Sequence, residues 1–503
     1  MPIPEALYEQ VVNHARQTAL LESTANLLHW DERCMMPAAG AEYRAEQLAY
    51  LSGEIHRRST DATLAAWLDE LAESSLMDDP HSGPAVVVRE LRRTLIKQSR
   101  LPQSLVEELS RLTIEGQQTW AAARRDNDFA SFRPVLERIV GLTRRKSECY
   151  GEGEHPYDSL LDDFEPGATT GEVSSALTGL ASAIKPLVDK IAGSDGDGDA
   201  GILTRHFPAE RQREFAEYVA RELGFDFSRG RLDVTDHPFC NRIAPHDCRM
   251  TTRFNERFFN EAFFGVLHEA GHGMYEQGLP VSEYGLPTGA AVSLGIHESQ
   301  SRLWENFVGR SHAFWRRHFL PASRAFPEAL QGVSLDDLYA AVNVARPSLI
   351  RVEADEVTYN LHIVIRFELE LDLVTGELPV SDLPDAWNHK YEERLGLTPP
   401  DDARGVLQDI HWSGGAIGYF ATYALGNVYA AQFRQAAGRD LGDLEVMFAR
   451  GEFQPLLAWL RTNIHAHGQT YPASDLVARV TGKPPSHEPL VEYLTGKFGA
   501  LYG

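Results

Sequence analysis

The sequence predicts a mainly α-helical fold with one small antiparallel β element. Three observations carry that expectation: apolar residues recur at helical steps along most of the chain, strand-like alternation is confined to 230–255, and Gly or Pro punctuates the periodic segments at Pro102, Gly167 and Pro280. The clearest stripe is Val173, Leu177, Leu180, Ile184, Leu187 and Ile191, whose steps of four and three keep all six on one helix face. Leu48, Leu51 and Ile55 predict a second apolar face and Val88, Leu91 and Leu95 a third, so the N-terminal part reads as a run of helices. Around 230–255, RLDVTDHPFC and HDCRMTTRF flank a polar turn and predict a short antiparallel hairpin. Trp304 with Phe307 and Leu456 with Trp459 predict ordinary helix cores. GSDGDGDAG at 193–201 is too polar to pack and predicts a surface loop between helices. Asp195, Asp197 and Asp199 imitate a calcium loop, but Ala200 occupies the sixth position, where Gly is needed, and His206 the twelfth, where Glu is needed.

Composition removes whole classes of function. With 503 residues, 43% of them hydrophobic, the chain has ample material for a large core, which excludes intrinsic disorder. Its 48 basic and 72 acidic side chains give a net charge of −24, which argues against nucleic acid or a membrane surface as partner. No apolar run approaches the roughly 20 residues of a membrane helix, and MPIPEALYEQVVNH lacks the pattern of an export signal. Cys34, Cys149, Cys240 and Cys248 are scattered and form no Cys-x-x-Cys pair, so reduced thiols and a cytoplasmic location are expected.

The chemistry concentrates in EAFFGVLHEAGHGMYEQG. His268 and His272 are four residues apart on an expected helix, one turn above each other, so their imidazoles can converge on one metal ion. Glu269 then stands beside the ion, placed to take a proton from the attacking water and pass it to a leaving amine. Taken alone, the motif is also compatible with an ordinary His-containing helix. A third protein ligand is required, and Glu298 in GIHESQSRLWENF, 26 residues after His272, is the best candidate. Its neighbour His297 is the rival, but successive helical positions point about 100° apart, so one of the two faces the ion.

These residues fall in a set of segments that resembles the carboxypeptidase Taq family of metallocarboxypeptidases: HPF at 237–239, DCRMT at 247–251, HEAGH at 268–272, HESQS at 297–301, IRVEAD at 350–355 and GVLQDIHW at 405–412. HWDERCMMP, HPYDSLLDDFEPG at 155–167 and GYFATYALGNVYAAQ at 418–432 are also similar to family sequence, with Ala421 standing where proline is more usual. The resemblance implies a large helical peptidase fold with a small antiparallel sheet beside a deep active-site groove. It implies a single catalytic domain over 1–503, its active-site core at about 230–430, often assembled as a homodimer. It also implies release of C-terminal residues from peptides of broad sequence with one divalent metal ion, zinc or cobalt. By motif match His268, His272 and Glu298 are the metal ligands and Glu269 the general base.

A carboxypeptidase has to recognise a free C-terminal carboxylate, and the planar fork of Arg does this bidentately. Arg351 and Arg249 are the motif candidates; each could instead serve a structural ion pair, with Glu353, Asp355 and Glu356 near the first and Asp247 near the second. Groups that stabilise the developing oxyanion or line the substrate are sought in His411, Tyr419 and Tyr423, and His237 is a candidate for the groove wall. His465 and His467 lack an acidic partner nearby and read as structural. The competing readings are an aminopeptidase or endopeptidase sharing the same helix motif, and a catalytically dead peptide-binding protein. No GxMEN-like segment is present to hold a substrate ammonium, and intact Glu269 with a complete ligand set weighs against loss of catalysis.

Overall fold

Helix boundaries fall where capping residues and breakers put them. In the computed structural model, which describes residues 4–151, 153–194, 199–235 and 238–503, the chain opens with α1 (Pro4–Cys34), α2 (Ala41–Ser59), α3 (Ala62–Ala72), α4 (Gly83–Ser99), α5 (Gln103–Asp126) and α6 (Phe129–Tyr150). Asp61 caps α3 by accepting from the N–H groups of Thr63 and Leu64, and Ser82 caps α4 ahead of Pro84. Asn127, at φ 55°, ends α5 in a left-handed turn before Asp128 caps α6. A short helix, α7 (Asp158–Leu161), leads to α8 (Thr170–Ala192), which opens with a capping box of Thr169 and Glu172, and then to α9 (Ala209–Leu223).

All six residues of the 173–191 stripe are buried in α8, a contribution on the order of 10 kcal/mol before chain entropy is counted. The α2 stripe behaves differently. Leu48, Leu51 and Ile55 are half-buried and α2 has no fully buried residue, because α2 rests mainly on α1 and a single neighbouring helix covers only a strip of it.

The strands are β1 (Gly230–Val234), β2 (Cys240–Ala244) and β3 (Asp247–Thr252), in the order β1-β3-β2. An antiparallel hairpin forms, but its first arm is β2, where the polar turn was expected, rather than the 231–240 segment, with Cys240 opposite Met250 and Arg242 opposite Cys248. β1 departs from the expectation by pairing parallel to β3, Leu232 opposite Met250, so the sheet is mixed. Pro238, which has no N–H to give a ladder, lies in the break between β1 and β2 and lets the chain cross to the other side of β3. The calcium-like Asp195 and Asp197, and His237, lie outside the described residues.

The second half contains α10 (Phe259–Glu276), α11 (Leu294–Arg302) with a π-helical continuation at Leu303–Val308, α12 (His312–Ala325), α13 (Leu335–Val342), α14 (Tyr359–Thr375), α15 (Leu383–Leu395), α16 (Ala421–Leu441), α17 (Leu444–Ala449), α18 (Gln454–Asn463), α19 (Ala473–Thr481) and α20 (Glu488–Leu501). The main core runs from Leu105 to Tyr502 and takes in Trp304, Phe307, Leu456 and Trp459, as their spacing predicts. A smaller cluster of Leu7, Val11, Leu64, Leu68, Leu71 and Val88 joins α1, α3 and α4. Among the described residues no helix is long and apolar enough to cross a membrane.

Candidate active site

Two glycines let three helices meet closely enough to build the site. A Cβ on Gly271 of α10 would lie 2.6 Å from Ser301 Cα in α11, and one on Gly426 of α16 would lie 2.5 Å from Glu298 Cγ. Hydrogen in place of a side chain at both positions sets α11 between α10 and α16 with Glu298 turned toward the two histidines. The Ser293 hydroxyl caps α11 by accepting from Ile296 N–H.

His268, His272 and Glu298 present one ligand atom each, all within 4.8 Å of one another. Nε2 of His268 and Nε2 of His272 both lie 3.6 Å from Glu298 Oε2. The opposite ring nitrogens are engaged elsewhere: His268 Nδ1 is 2.9 Å from Glu305 Oε2, and His272 Nδ1 is 3.1 Å from the His297 carbonyl. A carboxylate and a carbonyl can only accept, so each Nδ1 carries a proton and Nε2 is the nitrogen of each ring left to offer a lone pair to a metal. Two imidazole lone pairs and one carboxylate oxygen, converging with the other Glu298 oxygen held by Arg302 Nε at 2.7 Å, form a donor set that fits a divalent ion with an open position. His297, the rival ligand, turns away: its Nε2 is 2.9 Å from Glu276 Oε1 and its Nδ1 is 2.6 Å from His272 Nδ1, which it buttresses.

The electrostatics are those of a buried charge cluster. Glu269 is buried, and desolvation pushes its carboxyl up to about 7, with His268 opposing the rise and Glu298 adding to it. Burial would also raise Glu305, yet Arg302, His268 and Arg310 outweigh it and bring it down to about 2. Burial, His297 and His268 hold His272 well below its usual value, so its ring is neutral, as a ligand must be. Glu269, which feels the charges of His268, Glu298 and Glu305, is thus a carboxyl able to gain or lose a proton near neutral pH.

Beyond Glu298 a line of side chains leads to the substrate candidates. Arg302 lies over the Tyr359 ring, and the Tyr359 hydroxyl accepts from Arg351 Nη1 at 3.2 Å. Arg351 is buried; its Nε and Nη2 donate to Asp409, a residue 58 positions away, rather than to the acids beside it in sequence. Asp409 is shared with Arg366, whose Nε donates at 2.6 Å, so one carboxylate faces two guanidiniums and the cluster keeps a net positive charge. His411 sits against this cluster with Nε2 3.3 Å from the Tyr423 hydroxyl, and Tyr419 packs on both at ring distances of 5.4 and 5.2 Å. Burial and the two arginines lower His411 to about 4, which keeps it neutral, and its Nδ1 has no hydrogen-bond partner among the described residues.

Arg249 is not part of this line. It sits on the face of β3 opposite Cys248 and Met250, binds Asp247 bidentately at 2.7 and 2.8 Å, and stacks on Trp30 of α1. Strand alternation turns it away from α10, which the Cys248 side meets at Gly273, and in this structure it pairs with Asp247. His465 is buried, hydrogen-bonded to Gln300 and tilted against Tyr275, and His467 packs on Tyr471; neither is among the converging donors of His268, His272 and Glu298.

Sequence reasoning missed Glu305, Arg302, Glu276 and Tyr359. The first two were discoverable, since Glu298, Arg302 and Glu305 follow at helical steps of four and three and share one face. A cavity of about 530 Å³ lies between α1, α4 and β2; Glu276 is in its wall, but His268, His272, Glu298 and Glu269 are not.

The sequence matches the model of the carboxypeptidase Taq (M32) metallopeptidases over residues 10–498. It is 49% identical to thermostable carboxypeptidase 1 of Thermus thermophilus over 99% of this chain and 100% of that protein. Carboxypeptidase 1 of Bacillus subtilis is 40% identical, with 95% of each chain covered. Among solved structures, the M32 carboxypeptidase from Deinococcus radiodurans R1 superposes with a TM-score of 0.95 at 42% identity, covering 99% of this chain and 100% of that one. Trypanosoma cruzi metallocarboxypeptidase 1 gives a TM-score of 0.92 at 31% identity, covering 98% and 99%.

Proposed function

Because the chain belongs to the carboxypeptidase Taq (M32) metallopeptidase family, whose members are metal-dependent carboxypeptidases, we propose that it removes C-terminal residues from peptides of broad sequence at the cluster of His268, His272 and Glu298. The observation that carries this reading is the convergence of the two Nε2 atoms on the carboxylate oxygen of Glu298, with each Nδ1 already committed. When bound there, one divalent ion, zinc with cobalt as the alternative, supplies Lewis acidity that activates water and polarises the scissile carbonyl. Every other part of the chemistry belongs to the chain. Glu269 takes the proton from the attacking water and delivers it to the leaving amine nitrogen, a task suited to a carboxyl raised to about 7. Tyr419, Tyr423 and His411 offer hydroxyl and ring donors on the substrate side, where oxyanion charge develops. Arg351, braced by Asp409 and Tyr359 in a cluster of net positive charge, receives the C-terminal carboxylate. A peptide approaching along β2 would enter the cavity between that strand, α1 and α4, whose wall includes Glu276, the partner of His297.

We take 1–503 to act as one catalytic domain, assembled as a homodimer and working in the cytoplasm, in keeping with four free thiols. The test is a pair of peptides that differ only in a C-terminal acid or amide. The acid should turn over faster by an amount corresponding to roughly 2–5 kcal/mol, and Arg351→Ala should narrow that gap. Equal cleavage of acid and amide by the parent enzyme would remove the carboxypeptidase reading and leave the endopeptidase standing. A gap that survives Arg351→Ala would remove only the choice of clamp.

A further inference from the structure

The acidic segment HPYDSLLDDFEPG at 155–167 has no part in the proposed chemistry, yet each of its acids has a definite partner. Asp158 accepts from the N–H groups of Glu154, His155 and Thr170 and so closes the turn into α8. Asp162 and Asp163 bind Lys97, and Arg93 and Lys146 add further pairs to α4 and α6. These contacts make the loop a stiff projection from the N-terminal helices. Its tip meets the start of α11: the Phe164 carbonyl accepts from Leu294 N–H at 3.0 Å, and Phe164 packs on Tyr419.

Glu165 is the decisive residue. It is 1% exposed, and its carboxylate accepts from Gly295 N–H at 2.9 Å, from the Tyr429 hydroxyl at 3.1 Å and from the side chain of Ser293. Burial pushes the Glu165 carboxyl up to about 7, and in either protonation state its oxygen satisfies one of the orphan N–H groups at the start of α11. Gly295 has to be glycine for this approach, since a Cβ there would lie 2.6 Å from Glu165 Oε2. Tyr429 belongs to α16, the helix whose Gly426 touches Glu298, so Glu165 ties α11 and α16 together one turn before the metal-facing carboxylate.

We infer that Glu165 is a positioning residue that fixes the axial and rotational setting of α11 and thereby holds Glu298 at the point where the Nε2 atoms of His268 and His272 converge. The inference rests on Glu298 being a metal ligand. It acts on metal affinity rather than on substrate contact, because the hydrogen bonds of Glu165 itself go to Gly295, Ser293 and Tyr429, and only its neighbour Phe164 touches the substrate-side Tyr419.

The experiment is competition for zinc between a chromophoric chelator and the full-length chain as parent, Glu165→Ala, Glu165→Gln and Glu298→Ala. Glu165→Ala should raise the zinc Kd by about 10–100-fold. At saturating zinc its KM should stay within about twofold of the parent value. Glu165→Gln should recover most of the affinity, since its carbonyl can accept from Gly295 N–H and its amide can donate to the Tyr429 oxygen. A residue with a merely structural role would lower the melting temperature of Glu165→Ala and leave the zinc Kd in place, and that result overturns the inference. If Glu165→Ala does not fold, Gly295→Ala supplies the same displacement from the helix side, and an unchanged zinc Kd in it overturns the inference equally. Should Glu298→Ala bind zinc as the parent does, the ligand reading itself falls, whereas loss in Glu298→Ala with no change in Glu165→Ala removes only the role of Glu165.

Discussion

Replacing either of two glycines on α10 with alanine should have opposite effects, and the contrast measures how tightly α10 and α11 are packed. Gly265 lies inside the helix with only Thr252 Oγ1 near its missing Cβ, at an ordinary 3.5 Å. Gly265→Ala should therefore stabilise the protein by about 0.5–1 kcal/mol through helix propensity. At Gly271 the same Cβ would meet Ser301 Cα at 2.6 Å and the Gln300 carbonyl oxygen at 2.7 Å, both backbone atoms that cannot rotate aside. Carbon atoms rest about 3.5–4.0 Å apart, so the helices would have to separate by about 1 Å. Overpacking of this kind costs about 1–3 kcal/mol, which offsets or exceeds the propensity gain. Glu298 stands three residues before Ser301, and metal–ligand bonds of about 2.0–2.2 Å tolerate a shift of a few tenths of an ångström. Gly271→Ala should thus be less stable than Gly265→Ala by about 1–3 kcal/mol and bind zinc at least about tenfold more weakly. Urea denaturation of the metal-free proteins reads the first quantity and chelator competition the second. Equal stability and equal zinc affinity in the two variants would refute the close-packing account.

Two further outcomes follow from the buried carboxylates. Glu305→Ala removes the acceptor that orients His268, so zinc affinity should fall by about 10–100-fold in the same competition assay, and an unchanged affinity would deny Glu305 that function. Glu370 is buried, and desolvation raises it to about 7 although Tyr157, Gly418 and Trp412 all donate to it. A folded-state value above the usual 4.5 means its contribution to stability is complete below about pH 4.5 and is lost as pH rises through about 7. Glu370→Gln cannot titrate, so whatever its fixed offset, it should gain on the parent by about 2.5 kcal/mol between pH 5 and pH 8 in denaturant titrations; a flat difference would contradict the assignment.

What the sequence revealed depended on whether a feature was written in local spacing. The 173–191 stripe was legible because a helix face is set by steps of three and four, and all six of its residues are buried. The meeting of His268 and His272 was legible for the same reason, and Glu298, sought as a third donor, does converge with them. The α2 stripe marked a real helix face, but periodicity tells which face is apolar and not how many neighbours will cover it, so its residues are half-buried. β1 was misjudged because parallel and antiparallel pairing leave the same alternation in one strand. Arg351 was read beside three nearby acids, but its partner Asp409 is brought in by tertiary contact and leaves no local trace. Arg249 shows the converse, since its sequence neighbour Asp247 is its true partner. Gly271 and Gly426 could not be told from other helical glycines until the helices they admit were in place.

The most direct test of metal-dependent C-terminal hydrolysis at this site is mass spectrometry of a peptide mixture incubated with zinc-loaded parent and zinc-loaded Glu269→Gln, with zinc content measured on the same samples. The account predicts stepwise loss of C-terminal residues by the parent. Glu269→Gln should keep one ion per chain, and its turnover should be lower by about 10²–10⁴-fold. Internal cleavage by the parent, or near-parental ladders from zinc-loaded Glu269→Gln, would contradict it.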